Sequence, residues 1–164
     1  MPDIDPIFNQ VAQMLKDQQF KVISQDTTRP WGGFFVIDDS QAGDFAHYYF
    51  PGESIDFLDE KVKLSPKILL VAPHKRLSWQ YHYRRAEIWK CIEGKAGVTT
   101  SDNDEERQQH ILLPGNIIRL KQGERHRLCG LDGWGIVAEI WHHTDPDHPS
   151  DEDDIVRIQD DFGR

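Results

Sequence analysis

Between Phe34 and His142 the chain is broken into short runs rich in β-branched and aromatic residues, and this recurrence limits the fold more than any other feature. The runs cover 34–37, 67–71, 77–83, 88–92, 97–100, 108–113, 117–120, 126–128 and 136–142. Turn signals separate them at Glu93-Gly94, 101–106, Pro114-Gly115, Gln122-Gly123 and Asp132-Gly133. Runs this short, joined by tight turns with no helices between them, predict an all-β antiparallel sandwich or barrel. A length of 164 residues suits one domain with one core.

The flanks read differently. Ile7, Phe8, Val11, Met14 and Leu15 repeat at helical spacing and predict a short N-terminal helix, from Pro6 to about Phe20, packed on the outside of the main fold. Residues 26–33, DTTRPWGG, predict a loop leading into the strand at Phe34. In the charged tail, Ser150 followed by DEDD predicts the capped, acidic start of a short helix. The division expected is a helical extension over 1–28 and the main domain over 29–164.

Lys and Arg total 19 against 28 Asp and Glu, a net charge of -9, so the overall field repels nucleic acid and anionic membranes. Any phosphate must be held by a local cluster of cations. Cys91 and Cys129 lack the close pairing of a thiolate metal site and are expected to be reduced, buried thiols, which fits a cytoplasmic protein. No basic segment followed by an apolar run opens the chain, and no stretch approaches the roughly 20 apolar residues that cross a bilayer.

Along LSWQYHYR, alternation puts Trp79, Tyr81 and Tyr83 on one face and Gln80, His82 and Arg84 on the other. If the sheet closes, Gln80 and His82 point at one interior place. Glu87, which starts the next run, and His126, which follows a Gly-containing turn, can reach it. An amide oxygen, imidazoles and a carboxylate suit one divalent ion such as zinc, with manganese, iron, cobalt or nickel also compatible. The plainer alternative makes His82 and His126 ordinary polar residues of exposed strands.

The spacing resembles the two metal-binding motifs of the cupins. Gln80-x-His82, four residues, Glu87, six residues and Gly94 fit the first; Gly115, Gly123 and His126 occupy places of the second, with Lys121 and Gly130 where Pro and Asn are usual. RPWG at 29–32, KILLVAP at 67–73, LSWQYHYRRAEIW at 77–89, GERHRL at 123–128 and EDDIVRIQDDFGR at 152–164 are similar to blocks of the type II mannose-6-phosphate isomerases. The chain departs from them at Tyr83 and Arg84, where a run of histidines is usual.

The resemblance implies a double-stranded β-helix (jelly-roll) barrel with Gln80, His82, Glu87 and His126 as metal ligands. It also implies Arg157 and Lys67 as catalytic or phosphate-contacting residues, with Arg29 and Arg85 in matching blocks. The activity implied is aldose-ketose isomerisation of a sugar phosphate, mannose 6-phosphate or a phosphoheptose, through a metal-stabilised enediolate. The general base is unassigned. The alternative is a non-catalytic cupin that binds a sugar or sugar nucleotide. No Gly-rich phosphate loop precedes the cupin region, so nucleotidyl transfer is not expected. A homodimer that covers an open sheet edge is expected.

Overall fold

In a computed structural model, which describes residues 5–54 and 63–164, the Asp5 carboxylate accepts the Ile7 amide at 3.0 Å and Pro6 takes the first helical position. Helix α1 (Pro6–Asp17) therefore starts where the sequence marks it, and its buried stripe is Phe8, Val11 and Leu15. Strand β1 (Val22–Arg29) follows and pairs antiparallel with β2 (Gly32–Ile37). The loop expected over 26–33 is thus only a tight connection at Pro30-Trp31, and the expected boundary at 28/29 falls inside β1. Gly32 makes the connection possible: its φ is +144°, and a Cβ there would lie 2.0 Å from the Leu70 carbonyl oxygen.

A second helix, α2 (Ala42–Tyr49), lies between β2 and β3 (Leu64–Val71), where no helix was expected. Ala42, Phe45, Ala46 and Tyr49 are its buried face. The remaining strands are β4 (Trp79–Tyr81), β5 (Arg85–Ser101), β6 (His110–Leu112), β7 (Ile117–Leu120), β8 (Arg125–His143) and β9 (Val156–Gln159). The sheet runs β1-β2-β3-β8-β4-β9, with β5 pairing β8, β6 and β7, and every pairing is antiparallel. Of the two antiparallel all-β architectures the runs allowed, sandwich or barrel, this is the barrel that the cupin resemblance implied.

Two of the expected turns are bends inside long strands. β5 follows β8 from Arg85↔His143 to Ser101↔Arg125, and the register jumps from Gly94↔Gly135 to Ala96↔Gly130. Bulges bend both strands and let one pair serve both halves of the barrel. Gly94, at φ +69°, could carry no side chain: a Cβ would sit 2.1 Å from the Trp134 carbonyl oxygen. The tail also differs from expectation. Asp151 Oδ1 accepts the amides of Asp153 and Asp154 in a turn, each at 3.0 Å, and the chain then pairs with β4 as β9 instead of forming a helix.

Burial divides the strands by face. Ile68, Leu70, Ile88, Ala138 and Ile140 pack outward against Phe8, Val11, Leu15 and Phe45 of the two helices. Leu69, Val71, Trp89, Cys91, Val98, Leu128 and Val137 pack inward. β3 is therefore buried on both faces, which is why Ile68 to Val71 are continuously apolar instead of alternating. Cys91 and Cys129 are free and buried, as expected.

Candidate metal centre

The interior face of the barrel changes character at one end. β4 delivers Gln80, the turn after it delivers His82, β5 delivers Glu87 and β8 delivers His126, which pairs with Gln80 across the sheet. All four are buried. His82 Nε2 lies 3.3 Å from His126 Nε2 and 3.6 Å from Glu87 Oε1, while His126 Nε2 lies 3.3 Å from Glu87 Oε2. One ligand atom from each of these three residues falls within 4.8 Å of the others. Gln80 Nε2 is 3.4 Å from His82 Nε2, and its Oε1 accepts from Ser78 Oγ at 2.5 Å. Turning the amide over presents Oε1 to the cluster, because a hydroxyl can accept as well as donate.

Backbone carbonyls fix both imidazoles. His82 Nδ1 is 2.6 Å from the Asp154 oxygen and His126 Nδ1 is 2.9 Å from the Glu124 oxygen. A carbonyl only accepts, so each Nδ1 carries the proton and each Nε2 lone pair faces the cluster. Glu87 Oε2 is buried with no hydrogen-bond partner. Two converging lone pairs and an orphaned carboxylate oxygen fit a divalent cation.

The electrostatics agree. Burial and the neighbouring Arg85 push His82 down to about 4, despite Glu87. Burial also opposes charge on His126, but Glu87 outweighs it and raises that imidazole. Burial would lift Glu87, yet Arg85 and His126 hold its carboxyl well below the usual range. A metal would find Glu87 already ionised.

Arg85, not Arg84, is the cation at this site. Alternation ends with β4 at Tyr81, so Arg84 turns away to Asp151 at 3.5 Å. Arg85 Nε donates to Glu87 Oε1 at 2.9 Å, its Nη2 lies 3.1 Å from His82 Nε2, and its Nη1 donates to Ser150 Oγ at 3.0 Å. The guanidinium stacks 3.5 Å from the Trp141 ring centroid.

Beyond the cluster a cavity of about 90 Å³ is lined by Gln80, Glu87, Lys67, Glu139, Glu152 and Arg157, with Arg29, Arg85 and Arg164 also at its wall. Lys67 is buried, 4.0 Å from the Trp141 ring and 4.9 Å from that of Phe34. Arg157 is exposed at the mouth on β9, its backbone paired with Gln80. The sequence reading did not single out Glu139. Burial, then Glu87, raises its carboxyl to about 7, although Trp89 Nε1 donates to it at 2.7 Å. Its signal was one acid inside the apolar run IVAEIW, on the inward face with Val137 and Trp141. Among the described residues His142, His143 and His148 form no second metal cluster; His143 is held between Ser65 Oγ and the Ser150 amide, each at 2.8 Å.

Solved structures share this fold at low identity. Oxalate decarboxylase from Bacillus subtilis aligns over 82% of the chain and 30% of its own length, with a TM-score of 0.58 at 12% identity. Hazelnut (Corylus avellana) vicilin aligns over 85% of the chain and 34% of its own, at 0.53 and 17%. In sequence, the chain is 30% identical to the alginate biosynthesis protein AlgA of Pseudomonas aeruginosa over 76% of its length and 24% of that protein's. It is 27% identical to a mannose-1-phosphate guanylyltransferase of Salmonella montevideo over 92% of its length and 26% of that protein's. The chain thus spans about a quarter of the length of these curated relatives.

These relatives overturn the isomerase expectation. Those named for a reaction are guanylyltransferases, and not isomerases. The same names restore, for the relatives, the nucleotidyl chemistry that a missing Gly-rich loop had set aside. Residues 38–160 match the family model described as mannose-6-phosphate isomerase C-terminal. With that match over most of its length and the barrel to go with it, the chain belongs to the cupin family of mannose-6-phosphate isomerase C-terminal domains.

Proposed function

We propose that this chain is a metal-centred cupin that binds a mannose phosphate and serves the sugar-nucleotide chemistry for which its guanylyltransferase relatives are named. The observation that carries the reading is the polarity of a single pocket. Two fixed imidazoles, a carboxylate and an amide converge beside it, and Gln80 and Glu87 of that cluster share its wall with Lys67, Arg85 and Arg157. In an acidic protein of net charge -9 such a cluster of cations favours a phosphate.

In this reading Gln80, His82, Glu87 and His126 hold one divalent ion, which would supply a Lewis-acid contact for sugar hydroxyl oxygens. Lys67 and Arg157 bind the phosphate, Lys67 as a buried point charge and Arg157 as a bidentate fork at the mouth. Arg85 neutralises Glu87 and orients it. Trp141 supplies an apolar wall.

The test is equilibrium binding to metal-loaded and metal-stripped protein, using mannose 1-phosphate, mannose 6-phosphate, GDP-mannose and unphosphorylated mannose. Binding of a phosphorylated mannose that needs the metal and weakens in Arg157→Ala supports the reading. Equal binding of mannose, or no binding of any of them, contradicts it.

A further inference from the structure

Lys67 is a buried ammonium whose ion-pair partner among the described residues comes from the tail. Its Nζ is 2.7 Å from Glu152 Oε1, and the two side chains are 7% and 65% exposed. The Phe34 and Trp141 rings flank it, and its cross-strand neighbour Glu139, a carboxyl that burial holds largely toward its neutral form, lines the same cavity. Trp141 also stacks on Arg85, so this contact lies beside the residues that organise the metal cluster.

The size of the cavity is a second, independent observation. Its volume of about 90 Å³ holds roughly three waters, whereas pockets for small organic ligands span roughly 300–1,000 Å³. Seating a whole hexose phosphate beside Lys67 asks for more room than this wall leaves. Most of the wall is β-strand with buried neighbours. Glu152, Arg157 and Arg164 are its exposed side chains, and of these Glu152 is the one that reaches inward from the turn between Ser150 and Asp154 to close on Lys67.

Both ends of that turn are fastened. Ser150 donates its amide to His143 Nδ1 at 2.8 Å and its hydroxyl to Asp154 Oδ2 at 2.6 Å. The Asp154 carboxylate accepts the amides of Tyr83 and Arg84 at 2.9 and 3.0 Å. The motion left to this part of the wall is rotation of the Glu152 side chain into water, with the backbone in place.

We propose that Glu152 is an internal stand-in for the ligand's phosphate: its carboxylate closes the pocket on Lys67, and a phosphorylated ligand enters by displacing it. This rests on the phosphate-binding reading above. The exchange keeps Lys67 paired at every stage, so its buried charge never has to be left without an anion. It also makes Glu152 a specificity determinant. A phosphate dianion competes with the carboxylate for Lys67, and a neutral sugar cannot.

The experiment is titration calorimetry of the metal-loaded full chain with mannose 1-phosphate and with inorganic phosphate, on wild type, Glu152→Gln, Lys67→Arg and Lys67→Met. Thermal unfolding confirms that each variant is folded. Because the pair is half exposed, Glu152→Gln is expected to bind mannose 1-phosphate roughly three- to fivefold tighter. Lys67→Arg keeps the charge and is expected to retain binding, and Lys67→Met to lose at least about tenfold. If wild type binds and Lys67→Met does not, yet Glu152→Gln binds no tighter, the stand-in is wrong and the phosphate site survives. If neither wild type nor Glu152→Gln binds either phosphate, the phosphate-binding reading falls and the stand-in with it.

Discussion

Val71 on β3, Cys91 on β5 and Val137 on β8 fill one end of the barrel interior with hydrocarbon and sulfur. Within four residues on the same strands, Lys67, Glu87 and Glu139 line the other end. The strand geometry is common to both, so the contrast lies in the side chains alone. The apolar end returns free energy for its burial, about 25 cal/mol per Å² of apolar surface. The polar end costs free energy, because ionised groups leave water and Glu87 Oε2 gains no partner. A fold has no need of such a cluster for stability, which is why it reads as a site.

The largest effect that sharpens the contrast comes from the apolar end. Leu128 is fully buried, and Leu128→Ala is expected to lose about 2–5 kcal/mol in urea unfolding while the folded fraction still binds metal with unchanged affinity. Loss of metal affinity in folded Leu128→Ala would show that the two ends are not separable.

Glu139 lies on the boundary between them. Its carboxyl is raised to about 7 by burial, above its unfolded value, so its contribution to stability is fully present below about 4.5 and is lost as pH rises through about 7. In metal-stripped protein, Glu139→Gln should gain on wild type by at most about 3 kcal/mol between pH 4.5 and 8. Parallel pH profiles for the two proteins would place Glu139 among ordinary ionised carboxylates.

Glu87→Gln removes the one anion of the cluster and should weaken zinc at least roughly a hundredfold, the upper end for residues that only support a ligand. Competition with a chromophoric chelator reads it. A smaller loss, about tenfold, is expected for Asp154→Ala, because the Asp154 side chain ties down the Tyr83 and Arg84 amides that frame His82. If Asp154→Ala matches Glu87→Gln, the tail holds the site more tightly than its hydrogen bonds imply.

Much of the site was legible because period-two alternation is local: Gln80 and His82 share a face, and the Gly-framed spacing brings Glu87 and His126 with them. Alternation failed where the strand stopped. It put Arg84 at the site, while the bend after Tyr81 turns Arg84 out and Arg85 in. Turn signals at Glu93-Gly94 and Asp132-Gly133 read as hairpins, because a bulge and a turn both ask for Gly. Ser150 before a run of acids carries a helix-cap signature, but the edge of β4 recruits the tail as a strand, a tertiary effect that no local window contains. The Lys67–Glu152 pair joins residues 85 apart in sequence and left no local mark.

The most direct test of the central claim is metal stoichiometry by elemental analysis of the full chain after equilibration with divalent ions, for wild type and His126→Ala. The expected result is about one ion per wild-type chain and almost none in a folded His126→Ala variant. A wild type that binds no ion, or a variant that keeps it, would contradict the assignment of Gln80, His82, Glu87 and His126 as a metal centre.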